Sequence, residues 1–129
     1  MAVGIKELMA RAEAEVRSVS SIEAQPMMQD EDTVFVDIRD VRELERDGLI
    51  PGAKHAPRGM LEFWIDPESP YAKPQFQSGD RFVFYCASGW RSLLATQVAQ
   101  EMGLKAASLT GGFGDWKRAG LPVEERKPK

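Results

Sequence analysis

The sequence predicts an α/β domain built around a mostly parallel β-sheet. Two apolar stretches, residues 33–39 and 81–85, are rich in the β-branched and aromatic residues that favour strands buried on both faces. A helical pattern follows each of them, and a third short apolar stretch, residues 106–109, comes after the second helix. Alternating strands and helices are typical of a parallel sheet with helices packed against it.

The chain is predicted to begin with an amphipathic helix. Residues 4–17 place apolar side chains three or four positions apart, with charged side chains on the other face. The serine-containing segment 18–21 ends this helix, and Ser21 is predicted to cap a short helix over residues 22–29.

Polar and glycine-containing segments divide the rest of the chain into short elements. Asp40 is predicted to cap a short helix that ends at Gly48, and residues 53–56 are predicted to form a short strand. Residues 66–80 form a connection that is long for a compact domain, and such connections are often functional or mobile. Further helices are predicted over residues 59–66, 92–102 and 113–118, and the tail, residues 123–129, is predicted to be charged and frayed.

Composition argues against several classes of protein. With 17 basic and 20 acidic residues the net charge is −3, and no concentrated basic face is present to bind nucleic acid. No apolar run approaches the ~20 residues of a membrane span, and the first residues lack the apolar core of a signal peptide. A single cysteine and a single histidine cannot form an internal disulfide or a thiolate-rich zinc site. We therefore expect a reducing, cytoplasmic setting.

The only cysteine, Cys86, ends the second strand and begins the loop Ala87-Ser88-Gly89-Trp90-Arg91-Ser92. Ligands of open α/β sheets bind beyond this end of the strands. The amino end of the following helix and the charge of Arg91 would both favour the nucleophilic thiolate of Cys86. The small residues allow successive N–H groups to turn inward around an anion, and Gly89 is best suited to a positive φ. We predict that Cys86 is a nucleophile; the alternative is a buried, inert thiol.

Four separated stretches give the chain a specific resemblance. They are residues 36–39 with Glu43-Leu44, residues 48–57, residues 85–92, and residues 111–116 with residues 120–122. In this order and spacing they resemble a single-domain rhodanese, a sulfurtransferase of the rhodanese and dual-specificity-phosphatase superfamily. The resemblance covers about residues 18–123 of a single domain, with about residues 1–20 as an N-terminal helical extension and residues 124–129 as a charged tail. It implies a rhodanese-like fold, a central, mostly parallel five-stranded sheet with helices on both faces.

The resemblance also implies a ping-pong transfer of sulfur. Cys86 would take the outer sulfur of a thiosulfate-like or persulfide donor and pass it to a thiol or cyanide acceptor. Arg91 would support the charge electrostatically, and the substrate would be bound by Ala87, Ser88, Gly89, Trp90 and Ser92. No cofactor or metal is expected, because Cys86 itself carries the sulfur as a persulfide. Without a second cysteine, the sulfur must leave to an external small molecule or to a sulfur-accepting protein.

Loop length separates the two branches of this superfamily. Related cell-cycle phosphatases hold five residues between their Cys and Arg, whereas four lie between Cys86 and Arg91. The shorter loop suits a sulfur atom and would crowd a tetrahedral oxyanion, which argues against a phosphatase or an arsenate reductase. The best-known thiosulfate enzymes carry basic residues at the middle of the loop, where this chain has Ala87 and Ser88, and Trp90 adds bulk at the mouth. This departure leaves the physiological donor open.

Other residues are candidates for supporting roles. Asp37 could orient Arg91 or a loop N–H, and Arg39 could add positive potential at the site. A structural ion pair that holds the turn of residues 39–41 is the favoured interpretation. Arg58 could face the pocket or be a solvated surface residue. Packing roles are favoured over catalytic or substrate-binding roles for His55, Phe63, Trp64 and Trp116.

The rival hypothesis comes from another class of protein. A rhodanese-type domain could carry sulfur only together with a partner, or bind a partner protein without catalysis. Turnover with small donors would distinguish an independent enzyme from such a module, because the module would show no turnover by itself. Neither nucleic acid nor a membrane is expected among the partners.

Overall fold

The computed structural model describes residues 2–127 and contains a five-stranded parallel sheet with the strand order β1-β5-β4-β2-β3. This confirms the predicted fold class. The strands are β1 (Arg17–Val19), β2 (Thr33–Asp37), β3 (Lys54–His55), β4 (Arg81–Tyr85) and β5 (Lys105–Leu109).

The helices of the described residues correspond to the predicted ones with differences at their ends, and the predicted helix over residues 22–29 is divided into a short α-helix and a 3₁₀ turn. The α-helices are α1 (Ile5–Glu15), α2 (Ser21–Ala24), α3 (Val41–Asp47), α4 (Leu61–Ile65), α5 (Trp90–Glu101) and α6 (Gly112–Arg118). Short 3₁₀ turns cover Gln25–Gln29, Arg58–Met60 and Pro74–Phe76. None of the helices in residues 2–127 is long and apolar enough to cross a membrane.

The sheet separates two apolar cores, because successive side chains of a strand point to opposite faces. Val36, Phe82 and Phe84 pack on one face against residues of α4 and α5. Phe35, Val83 and Tyr85 belong to the opposite face, which α6 covers with Phe113 and Trp116. Both faces of β2 and β4 are therefore buried, as their continuous apolar sequences predict.

The N-terminal segment differs from the sequence prediction. Residues 17–19, predicted as the last residue of the first helix and the start of the break after it, form β1, which pairs with β5 at one edge of the sheet. The predicted cap Ser21 is also wrong by one residue. Ser20 caps α2 instead, because its Oγ accepts the Glu23 N–H at 3.2 Å while the Glu23 carboxylate accepts the Ser20 N–H at 2.9 Å.

The long connection 66–80 is fixed to the domain at several points. Phe76 is buried, with its ring centroid 5.5 Å from that of Phe82. The Gln77 side chain donates to the Ile65 carbonyl at 2.8 Å, and the Lys73 N–H donates to the Trp64 carbonyl at 3.0 Å. The apolar anchor and the hydrogen bonds hold this connection against α4.

The start of the predicted frayed tail is paired with the body of the domain. Leu49 and Glu124 exchange two backbone hydrogen bonds of 2.9 Å, and Val123 lies against Gly48. The prediction of fraying is therefore wrong for residues 123 and 124. Residues 128 and 129 of the predicted tail lie outside the described residues.

Candidate active site

Cys86 follows β4 and lies fully buried at the carboxyl edge of the sheet. Its Sγ accepts the backbone N–H of Gly89 at 3.2 Å and that of Ser92 at 3.4 Å. Helix α5 begins at Trp90, two residues earlier than predicted, so its amino end lies beside the sulfur. The N–H groups and the partial positive charge of the helix end together form an environment suited to an anionic sulfur.

Gly89 makes the tight turn of the loop possible. Its φ is +100°, in the left-handed region that glycine adopts without strain, as its sequence context predicts. A Cβ at this position would lie 3.1 Å from the Gly111 nitrogen and 3.4 Å from the Leu109 carbonyl oxygen. Both the backbone conformation and the close approach to the end of β5 therefore require glycine here.

The amino end of α6 holds the loop from behind. The Phe113 N–H donates to the Cys86 carbonyl at 2.8 Å, and the Gly114 N–H donates to the Ala87 carbonyl at 3.0 Å. Gly112 has a φ of +59°, and a Cβ there would lie 2.5 Å from the Cys86 carbonyl oxygen. These two hydrogen bonds fix the Cys86 and Ala87 carbonyls against α6. On the same loop, the N–H groups of Gly89 and Ser92 face the sulfur. This glycine-rich segment carries part of the family resemblance, but its contact with the loop was not predicted.

A buried pair of hydroxyls supports the other side of the loop. Ser92 Oγ donates to the Gly89 carbonyl at 3.3 Å, and Ser108 Oγ lies 3.0 Å from Ser92 Oγ. Either hydroxyl can be the donor within the pair, because each carries one proton and accepts through its oxygen. Sequence reasoning missed Ser108, whose only signal is its place near the end of β5.

Arg91 binds Glu43 of α3, so the hypothesis that Asp37 orients Arg91 is wrong. Its two terminal nitrogens donate to the two Glu43 oxygens, both at 3.0 Å. Glu43 also accepts the Asp40 N–H at 3.0 Å as part of the capping box that starts α3. The hydrogen bonds from Arg91 are the main cause that lowers the pKa of Glu43, and the same bonds raise the pKa of Arg91.

This pairing changes the expected influence of Arg91 on the sulfur. Glu43 stays ionised through the neutral range, and the ion pair is lost only as the pH falls through the lowered pKa of Glu43. At neutral pH the Arg91 charge is therefore balanced by a carboxylate at hydrogen-bonding distance. The backbone N–H groups of Gly89 and Ser92 have no such partner charge and contact Sγ directly. Glu43 lies in one of the family-like stretches, but its pairing with Arg91 was not predicted.

Asp37, at the end of β2, forms a buried ion pair with Arg39. The Arg39 terminal nitrogen donates to Asp37 at 2.7 Å and to the Gly48 carbonyl at 2.7 Å. The guanidinium also lies 4.6 Å from the ring centroid of Phe113. Burial alone would lower the pKa of Arg39, but the Asp37 carboxylate outweighs it and raises that pKa. These contacts match the structural interpretation, since they join β2 to the end of α3.

The two remaining polar candidates, His55 and Arg58, each form a hydrogen bond away from Cys86. A ring nitrogen of His55 lies 2.7 Å from the Arg39 carbonyl oxygen and donates to it, which holds the turn after β2. Arg58 pairs with Glu62 one helical turn away, at 2.7 Å.

The aromatic candidates lie in three different settings. Trp116 is fully buried, and its indole N–H donates to the Pro122 carbonyl at 2.7 Å, which anchors α6. Trp64 lies under the Lys73 ammonium, 4.9 Å from the ring centroid, and Phe63 is exposed. Trp90 is 62% exposed on the loop itself. Of these residues, Trp90 is the one that belongs to the Cys86 loop.

Two cavities lie at opposite ends of the sheet. A cavity of about 190 Å³ lies against the loop and is lined in part by Ser88, Gly89 and Trp90. A larger one of about 370 Å³ lies at the amino ends of the strands, where Arg81 and Lys105 begin β4 and β5. Only the smaller cavity adjoins the residues around Cys86.

Comparison with known proteins places this fold and loop in a family. A family model described as a rhodanese-like domain matches residues 20–119. The thiosulfate sulfurtransferase GlpE of Glaesserella parasuis is 34% identical over 103 residues, which cover 79% of this chain and 87% of that protein.

Two solved structures share the fold. A Rhodopseudomonas palustris protein, described as of unknown function and a possible tyrosine phosphatase, is 52% identical with a TM-score of 0.92 and 96% coverage of both chains. The human single-domain sulfurtransferase is 28% identical with a TM-score of 0.66, covering 80% of this chain and 96% of that one. Because the family model spans most of the chain, this protein belongs to the rhodanese-like domain family.

Proposed function

We propose that the protein is a sulfurtransferase that carries a sulfane sulfur as a persulfide on Cys86. The observation that supports this most directly is the pair of backbone N–H groups, from Gly89 and Ser92, directed at Sγ. Such donors stabilise a thiolate and, after transfer, the negative charge of a persulfide. The relationship to GlpE, described as a thiosulfate sulfurtransferase, supports a small-molecule sulfur donor.

The proposed reaction has two displacements. In the first, the Cys86 thiolate attacks the outer sulfur of the donor, the donor S–S bond breaks, and its electron pair leaves with the donor remnant, sulfite in the case of thiosulfate. In the second, a thiolate or cyanide attacks the outer sulfur of the persulfide and releases the Cys86 thiolate. No external oxidant or cofactor is required, and the persulfide of Cys86 is the only covalent intermediate.

Burial of the sulfur favours this chemistry over phosphoryl transfer. The description of the Rhodopseudomonas palustris protein raises phosphatase activity as a second candidate. In this chain Cys86 is fully buried and only four residues separate it from Arg91, whose guanidinium is engaged by Glu43. A slender outer sulfur can approach such a thiolate more readily than a tetrahedral phosphate with three non-bridging oxygens.

Mass spectrometry of the intact protein tests the proposal. Incubation with thiosulfate or an organic persulfide is expected to add the mass of one sulfur atom, and cyanide is expected to remove it as thiocyanate. The parallel reaction with p-nitrophenyl phosphate is expected to release no nitrophenol above background. An unchanged mass with every donor, together with phosphate release, would assign the site to phosphoryl transfer.

The Arg91–Glu43 pair provides a second prediction. Arg91→Ala leaves Glu43 unbalanced near the loop and is expected to slow alkylation of Cys86 by iodoacetamide at neutral pH roughly two- to fivefold, because the unbalanced carboxylate disfavours negative charge on the attacking sulfur. Glu43→Gln leaves Arg91 unbalanced and is expected to act in the opposite direction. The measurement is the alkylation rate as a function of pH.

Arg42→Ala is the matched control for this pair. Like Glu43, Arg42 lies on α3, but its side chain is exposed and pairs with Asp40 at 3.4 Å. This variant is expected to be alkylated at the wild-type rate. Identical rates for Arg91→Ala and Glu43→Gln would show that neither charge acts on the sulfur.

A further inference from the structure

Three of the buried polar side chains in this domain are connected to one another by hydrogen bonds. Among the described residues, the buried polar or charged side chains are Ser21, Asp37, Arg39, Ser92, Thr96 and Ser108. Thr96 Oγ1 donates to the Ser92 carbonyl at 2.7 Å, and Ser92 Oγ contacts Ser108 Oγ. Buried positions usually hold apolar residues, so a connected group of buried hydroxyls requires an explanation.

Ser108 is the member of this group that belongs to the sheet. It is 2% exposed and pairs in register with Phe84, which lies two residues before Cys86 on the neighbouring strand β4. Its Oγ lies 3.0 Å from that of Ser92, in the first turn of α5. Because Phe84 belongs to an apolar core, packing alone does not explain a serine as its neighbour on β5.

Ser92 connects the Ser108 hydroxyl to both of the backbone donors that face the sulfur. The Ser92 N–H lies 3.4 Å from Sγ, and Ser92 Oγ donates to the carbonyl of Gly89 at 3.3 Å. Gly89 supplies the other N–H, which lies 3.2 Å from Sγ. The contact between Ser108 and Ser92 is therefore one side-chain hydrogen bond away from each residue whose backbone holds the sulfur.

Gly89 is the loop residue that most needs such a constraint. Glycine has the widest choice of backbone conformations, and Gly89 occupies the left-handed region with a φ of +100°. Its carbonyl accepts the Leu93 N–H at 3.2 Å in addition to the Ser92 hydroxyl. Holding this carbonyl restricts rotation of the backbone at Gly89 and keeps the N–H of the same residue directed at Sγ.

We propose that Ser108 is a positioning residue, which sets the reactivity of Cys86 from β5 by acting through Ser92. The proposal rests on the proposed sulfurtransferase function and adds a residue to the same site. The hydroxyl of Ser108 fixes the side chain of Ser92, which in turn fixes Gly89. The two backbone N–H groups then remain directed at the negative charge on Cys86, which is a thiolate before sulfur transfer and a persulfide after it.

Ser108→Ala and Ser108→Thr together test the role of this hydroxyl. Ser108→Ala is expected to fold, and to react with iodoacetamide and load sulfur from thiosulfate roughly two- to tenfold more slowly, the range that the net contribution of one hydrogen bond corresponds to. Ser108→Thr restores the hydroxyl and is expected to recover most of both rates. The cavity of about 190 Å³ that Ser108 lines leaves room for the additional methyl group. A loss that threonine does not recover would contradict the proposal.

A double-mutant cycle tests whether Ser108 acts through Ser92. Ser92→Ala keeps the backbone N–H that contacts Sγ but removes the hydroxyl that joins Ser108 to Gly89. Once this hydroxyl is absent, adding Ser108→Ala is expected to slow alkylation and sulfur loading no further. Effects that multiply in the double variant would show that the two serines act independently, and would overturn the proposed path.

Ser18→Ala is the matched control. Ser18 is the register partner of Ser108 on β1 and lines the same cavity, but its side chain is exposed. This variant is expected to react at the wild-type rates. Wild-type rates in Ser108→Ala would overturn the role of Ser108 and leave the sulfurtransferase function intact. Failure of the wild type to load sulfur would instead overturn the proposed function, and the alkylation rates would still decide the role of Ser108.

Discussion

Cys86→Ser is expected to abolish the mass increase of one sulfur atom and to reduce turnover with thiosulfate and cyanide by at least about a thousandfold. A serine hydroxyl cannot form a persulfide, and it is far less ionised than a thiol at neutral pH. Because the chain has one cysteine, no other thiol can replace it. The measurements are the intact mass after incubation with donor and the steady-state rate of thiocyanate formation.

The fold of the variant must be preserved for this result to be informative. Serine is nearly the same size as cysteine, and its Oγ can accept from the N–H groups of Gly89 and Ser92, so the circular dichroism spectrum and Tm are expected to stay close to wild type. A variant that still gained sulfur mass would place the carrier atom elsewhere in the protein and contradict the proposed mechanism.

Gly112→Ala is expected to destabilise the protein by about 2–4 kcal/mol and to slow sulfur loading more than tenfold, since a left-handed φ and an overpacked contact are both unfavourable for alanine. Its Cβ would lie 2.5 Å from the Cys86 carbonyl oxygen and 2.8 Å from the Ala87 carbonyl carbon and oxygen. These atoms belong to the backbone of the loop and cannot move without carrying the N–H groups away from Sγ. Urea denaturation and the rate of persulfide formation measure the two effects.

Gly120→Ala is the matched control, because it introduces backbone strain without a steric clash. Gly120 follows α6 at its other end and also has a positive φ, +74°, but a Cβ there would meet no atom within 4 Å. The variant is expected to lose about 1 kcal/mol of stability from its backbone conformation alone and to load sulfur at the wild-type rate. Equal losses of loading in both variants would mean that the contact between α6 and the loop does not position the sulfur.

Elements with a strong local pattern were predictable from the sequence, and those formed by distant contacts were not. The apolar runs of β2 and β4 and the start of α3 at Asp40 were identified because their signals lie within a few residues. Strand β1 was missed because three residues, Arg17–Val19, carry no periodicity and become a strand only by pairing with β5.

The same distinction applies to the candidate site. The place of Cys86 at the end of β4 and the positive φ of Gly89 followed from neighbouring residues in the sequence. The partner of Arg91 did not, because Glu43 is 48 positions away in the sequence and meets Arg91 only in the folded chain. Asp37 was an alternative partner for Arg91, but its carboxylate pairs with Arg39, in line with the favoured interpretation of a structural ion pair.

Strand β1 has a consequence for how the domain can be delimited. A chain cut at residue 20, where the family match begins, would lose both α1 and β1. The N–H and C=O groups of β5 that β1 now pairs would then be open along a sheet edge, and an open edge is a template for association with other chains. With β1 in place the edge of the sheet is a strand of three residues instead of the five of β5, so we expect the chain cut at residue 20 to associate more readily.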